Sequence, residues 1–320
     1  MTNKLTNEQL NEALEHMGKN SPFGEAKVVE LDDTIKFNCK RCGKCCSCRE
    51  DIILNPYDVY HIAQGLNTTP EEVLNKYCTI FTGANSCLPI VVLKEDERGL
   101  CPFLKFFPAE GKFGCSINDF KPGVCALHPI GVVRSAKQGE DNFTTGFIEV
   151  PSCSTHGTDT EIKIRDFIKS YLDNFECHEK GSKLTLEAME YINPVKFVKG
   201  LVEQDEAYLK ENFSEEEIKR IKDISSFIGK AFYAIYIRTT IHAMYDFDMS
   251  KGFLEQFDSI KANIKENCLK MISVLSLLGI DFSSGKLTNE DREFLNTLEQ
   301  EHQIAYEQFC EKIEQEEGIK

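Results

Sequence analysis

The chain has 320 residues, 41% of them apolar and 28% charged, the proportions of an ordinary globular protein with room for two domains. A formal charge of −15 argues against a protein that coats nucleic acid through phosphate contacts. No apolar run approaches the ~20 residues of a membrane span, and the opening Met-Thr-Asn-Lys-Leu-Thr-Asn-Glu lacks the apolar stretch of a secretory signal. These features predict a cytoplasmic protein without nucleic-acid or membrane partners, in a compartment where thiols stay reduced and serve metals or catalysis.

In chain order, the pattern predicts a short polar helix around Asn7–Met17 and a strand over Thr34–Phe37 that leads into a cysteine-rich loop. Asn55-Pro56 then opens a helix that ends near Gly65, and Thr69-Pro70 opens another to about Tyr77; each start is an N-cap residue followed by proline at the first helical position. Leu88–Leu93 reads as a strand, and a cysteine-bearing irregular region follows through Cys125. Ile130–Ser135 and Phe143–Val150 read as a hairpin. From Thr158 the pattern turns helical. Ile218 to Ile235 recur at helical spacing after a Ser214–Glu217 capping box, Phe253 to Leu275 form a second stripe closed by Gly279, and a last helix runs from Thr288 to about Glu316. The expected fold class is therefore α+β. Residues 1–157 form a small, irregular, metal-organised domain of short strands and helices, and residues 158–320 form a C-terminal α-helical bundle.

The chemistry is concentrated in the cysteines. Of 14 in the chain, ten lie between Cys39 and Cys125, and residues 39–48 hold five. Two successive C-x-x-C steps, Cys39 to Cys42 and Cys42 to Cys45, aim three sulfurs at one centre, with Gly43 free to take the positive φ such a loop needs. Thiolates so placed hold zinc or an iron–sulfur cluster, not a hard cation. The C-x-x-C-x-x-C run is the one ferredoxins use for a [4Fe–4S] cluster, so spacing favours the cluster over zinc. Lys40, Arg41, Lys44 and Arg49 have no acid among them, which either lowers thiol pKa or leaves ordinary solvated loop charges.

Eight cysteines qualify as ligands: Cys39, Cys42, Cys45, Cys46, Cys101, Cys115, Cys125 and Cys153. Adjacent cysteines rarely close on one ion, so Cys45 and Cys46 are expected to face different sites. One site takes Cys39, Cys42, Cys45 and a distant thiolate; the other takes Cys46 and the remaining three. Cys48, Cys78 and Cys87 are spare or structural thiols, and Cys177, Cys268 and Cys310 are small core hydrophobes. His128, three residues after Cys125, could as a neutral imidazole ligate zinc or hydrogen-bond a cluster sulfur, but filling the aromatic slot before Pro129 is the favoured reading, since the thiols already suffice. Tyr57 and Asp58 need no role beyond their helix.

These blocks carry a resemblance. Phe37-Asn38-Cys39-Lys40-Arg41-Cys42-Gly43-Lys44-Cys45-Cys46 resembles the signature of the CxxCxxCC cysteine-cluster family, also called YkgJ-type. Leu100-Cys101-Pro102-Phe103-Leu104, Cys115-Ser116-Ile117, Lys121-Pro122-Gly123-Val124-Cys125-Ala126-Leu127-His128-Pro129 and Cys153 resemble its later blocks. The resemblance covers about residues 35–155 and implies a zinc- or iron-chelating domain. The family includes the flagellin lysine N-methylase, so it also implies, as an alternative, an S-adenosylmethionine-dependent methyltransferase acting on a protein substrate. A glycine-rich strand-to-helix turn of the Rossmann type is not found in the sequence. A further alternative is a protein that sequesters or delivers iron or zinc.

Overall fold

A computed structural model describes residues 3–4, 26–47, 49, 51–82, 88–135, 144–150, 161–171, 175–190, 210, 214–224 and 230–277. It shows a mixed α+β chain that divides into two compact units. One comprises 1–80, 90–182 and 249–254; the other comprises 81–89, 183–248 and 255–320.

The first unit begins with strands β1 (Asn3–Lys4), β2 (Lys27–Val29) and β3 (Thr34–Ile35), followed by a 3-10 turn at Lys44–Cys46 and strand β4 (Ile53–Leu54). Helix α1 (Pro56–Leu66) starts where the sequence predicts. The Asn55 side chain accepts from Asp58 N–H, and the Asp58 carboxylate accepts from Asn55 N–H, which completes a capping box. Helix α2 (Pro70–Tyr77) is capped by Thr69, whose hydroxyl accepts from Glu72 N–H at 3.2 Å. Strands β5 (Cys78–Thr82) and β6 (Pro89–Leu93) follow, with β6 between β4 and β5 in one sheet.

The region expected to be irregular is an ordered hairpin and a short helix. Strands β7 (Leu104–Phe107) and β8 (Lys112–Cys115) pair with Leu104 opposite Cys115, and Gly111 turns the connection at φ 62°. Helix α3 (Gly123–Leu127) carries Cys125. Strands β9 (Ile130–Ser135) and β10 (Thr144–Glu149) pair antiparallel from Ile130–Glu149 to Ser135–Thr144, as the hairpin reading expects. Strand β10 is central; β9 lines one edge, while β2 and the parallel β1 share the other.

Strand β11 (Ile162–Lys163) pairs with β3 and leads directly into helix α4 (Ile164–Tyr171), and helix α5 (Phe175–Glu190) follows. The core of this region joins Val29, Ile35, Ala126, Leu127, Ile130, Phe147, Ile164, Phe167 and Ile168. It seats α3 between the sheet and α4, and so fixes where Cys125 and His128 stand.

In the second unit, helix α6 (Glu215–Ile224) carries the predicted box, with Ser214 N–H donating to Glu217 Oε2 at 2.8 Å. Helices α7 (Lys230–Tyr245) and α8 (Phe257–Leu277) pack with Ile260, Ile264 and Cys268 on one buried face of α8. The helices expected at 7–17 and 288–316, and the closing Gly279, lie outside the described residues.

Candidate metal centre

The cysteine loop turns twice. Arg41 lies at φ 55° and Gly43 at φ 80°, so the chain enters the left-handed region once within each C-x-x-C step. At Gly43 a Cβ would meet Leu104 and Phe113 only at 3.5 and 3.6 Å, so φ rather than space calls for glycine. The loop is pinned at both ends. Phe113 N–H donates to Arg41 O (3.2 Å), Arg41 Nε donates to Phe113 O (2.9 Å), and the Arg41 guanidinium pairs with Glu110 and lies over the Phe107 ring. Arg49 Nη2 donates to Asp51 Oδ2 at 2.9 Å, and Arg49 N–H donates to Glu95. Hydrogen bonding to Arg49 holds the Asp51 carboxyl below the usual carboxylate range. Two of the four loop cations are thus structural clamps.

Four predicted thiols lie within electrostatic reach of one another. Cys101 N–H donates to Cys46 O at 3.0 Å, beside an antiparallel bridge between Ser47 and Leu100. Cys115 ends β8 opposite Leu104, and Ser116 N–H donates to Phe103 O at 2.8 Å. Cys125 approaches on α3. Burial pushes the Cys46 thiol up to about 12, with further upward contributions from Cys101, Cys115, Cys45 and Cys39. Cys125 is raised by burial and by Cys101, Cys115 and Cys46. These four sulfurs therefore share one electrostatic neighbourhood, where full ionisation needs a cation.

The backbone opposes that burial at two of them. Nearby backbone N–H groups, of Phe103 and Leu104 beside Cys101 and of Ile117 beside Cys115, favour the thiolate, although burial still leaves both thiols raised, and the Leu104 N–H itself donates to Cys101 O at 3.0 Å. Buried Cys78 has no such donors, with only burial and Lys94 acting on it, and Cys268 is shifted up to about 12 by burial alone. Cys78 and Cys268 are core thiols, and Cys177 is buried as well.

Cys39 and Cys42 are exposed, and Cys45 is half-buried with its Sγ 3.6 Å from His128 Nε2. The partner beside Cys45 is thus an imidazole where the sequence expected a distant thiolate. Cys153, like Cys48, Cys87 and Cys310, lies outside the described residues. Among the described residues, no three His, Cys, Asp or Glu side chains are gathered closely enough to hold an ion as they stand. The donor set fits a thiophilic metal by its chemistry, four soft sulfurs, with Glu95 and Asp58 near enough to act on Cys101 and Cys125.

One residue read as purely helical does more. Asp58 is 4% exposed and accepts from Asn55 N–H (2.9 Å) and, on its other oxygen, from Gly123 N–H (2.8 Å), with His178 Nδ1 at 3.3 Å. It ties α1 to the start of α3, two residues before Cys125. The capping position was visible in the sequence; the second oxygen's partner was not.

Compared with known proteins, the chain matches no family model, no curated protein and no solved structure. No helix among the described residues is long and apolar enough to cross a membrane.

Proposed function

We propose that this chain is a metal protein of the thiolate class, holding an iron–sulfur cluster or zinc on Cys46, Cys101, Cys115 and Cys125. The observation that carries this reading is that Cys46, joined to Cys101 by a backbone hydrogen bond at 3.0 Å, and Cys125 both feel the thiols of Cys101 and Cys115. Thiols that raise one another in this way ionise together only beside a cation. No other sulfur acts on the core thiols Cys78 and Cys268. The ordered blocks resembling the CxxCxxCC family support the same class.

Both fillings draw on one donor set, and one experiment separates them. Full-length protein purified anaerobically should carry either iron with acid-labile sulfide and a broad visible charge-transfer band, or zinc without sulfide. Protein from metal-supplemented cells that carries neither iron nor zinc would defeat the proposal.

A further inference from the structure

We infer that the first unit carries a small-molecule site that does not involve its thiols, and that this site takes a monocarboxylate with an apolar body of about eight carbons. The site is a cavity of about 230 Å³ lined by Leu31, Phe147, Arg165, Ile168, Lys169 and Phe175.

The first ground is how the cavity is walled. Phe147 stands opposite Val29 in the pairing of β10 with β2, and Leu31 lies two residues beyond Val29. Leu31 is tied to α4 through the backbone: Arg165 N–H donates to Leu31 O at 3.0 Å, and Ile164 N–H donates to Asp33 O at 2.9 Å. Ile168 and Lys169 follow on α4, and Phe175 opens α5. Phe147 and Ile168 belong to the buried core, and Leu31 and Phe175 pack against it. Sheet pairing, backbone hydrogen bonds and core packing therefore set the walls.

The second ground is size. An engineered apolar cavity of about 150 Å³ stays dry and holds benzene. In proportion, a cavity of about 230 Å³ takes roughly nine or ten non-hydrogen atoms. Octanoate is of that size.

The third ground is the charge at the mouth. Leu31, Phe147, Ile168 and Phe175 offer only apolar atoms from their side chains; the two charged groups in the lining are both cations, and no carboxylate is among them. Arg165 and Lys169 stand one turn apart on α4, at i and i+4, and so share a side of the helix. Both are exposed and still line the cavity, as a long cationic side chain does when its stem covers apolar surface and its charge stays in water. Arg165 pairs with Asp32 at 2.9 Å, but the two side chains are more than half exposed, and such a pair contributes little. A ligand carboxylate can displace Asp32 from the guanidinium and leave it in water. That carboxylate meets two cations at the mouth, whereas an amine would meet two like charges.

The test is isothermal titration of the full-length protein at neutral pH with octanoate, 1-octanol, octylamine and acetate. Octanoate should bind saturably at one per chain, and octanol, which keeps the body and lacks the charge, should bind at least about tenfold more weakly. Octylamine and acetate should show no saturable binding. Arg165→Gln/Lys169→Gln should bring octanoate down to the octanol value and leave octanol binding as it was, which separates loss of charge from loss of folding. An octanoate bearing a diazirine on its chain should, on irradiation of the parent protein, label peptides that contain Phe147, Ile168 or Phe175. Absence of octanoate binding, equal affinity for octanoate and octanol in the parent, undiminished octanoate binding in the double variant, or labelling confined to other peptides would each overturn the site.

Discussion

Asp58 Oδ1 accepts a hydrogen bond from the backbone N–H of Gly123 at 2.8 Å, across 65 residues of sequence. This contact joins the first turn of α1 to the first turn of α3, and so links an ordinary helix cap to the placement of Cys125. His178, 5% exposed, lies against the same oxygen.

Replacing Asp58 should therefore act on the metal centre as well as on the helix. Asp58→Ala removes a cap and leaves a buried N–H without its charged acceptor, a loss of about 3 kcal/mol. Asp58→Asn, which keeps an oxygen for Gly123, should lose less. Urea unfolding gives the stability, and the rate of metal release to a chelator should rise in the same order, Ala above Asn.

Gly123 has no room for a side chain. A Cβ there would lie 2.7 Å from His178 Nδ1, whereas at Gly252 it would meet nothing within 4 Å. Gly123→Ala should destabilise the protein by roughly 1–3 kcal/mol through overpacking, while Gly252→Ala should be close to neutral. Thermal unfolding of the pair, read side by side, checks this.

His61 titrates below its ordinary 6.5 because of burial first and the nearby His178 second, with Asp58 opposing; it stacks on Tyr57 at 5.2 Å between centroids. A histidine depressed in the folded state is protonated more readily by the unfolded chain. Its contribution is intact above pH 6.5 and is lost as pH falls below that value, at no more than about 1.4 kcal/mol per pH unit. Chemical denaturation between pH 7.5 and 5 should show the decline, and His61→Gln should flatten it.

Cysteine reactivity should separate the thiols by role. In metal-free protein, iodoacetamide should modify exposed Cys39 and Cys42 ahead of Cys46, whose thiol is pushed up to about 12. Fully buried Cys268 should react only on unfolding. Added zinc should slow the modification of Cys46, a ligand of the proposed centre. Mass spectrometry of timed digests reads the order.

Much of this arrangement was legible in the sequence, for reasons visible residue by residue. Helices α1 and α2 announce themselves because Asn55-Pro56 and Thr69-Pro70 are local cap signals that need no tertiary context. The β9–β10 pairing followed from two apolar runs flanking a turn. The β7–β8 hairpin did not show, because Phe106 and Phe107 adjoin without alternation and the strands have four residues each. Its order comes from Arg41, whose contacts with Phe113 and Glu110 are long-range.

At the site, spacing alone singled out the sulfurs and led to the expectation that Cys45 and Cys46 face different ways. It pointed to a cluster on the tripod, and the structure adds that His128 Nε2 stands 3.6 Å from Cys45 Sγ. That Cys46 and Cys125 feel Cys101 and Cys115 depends on how the chain folds between them, which spacing does not encode.

The most direct test is the metal content of anaerobically purified full-length protein beside Cys125→Ser and Cys268→Ser. The thiolate-centre account predicts stoichiometric iron with sulfide, or zinc, in the parent and in Cys268→Ser, and at least half of it lost in Cys125→Ser. Equal metal in all three proteins, or none in the parent, would contradict it.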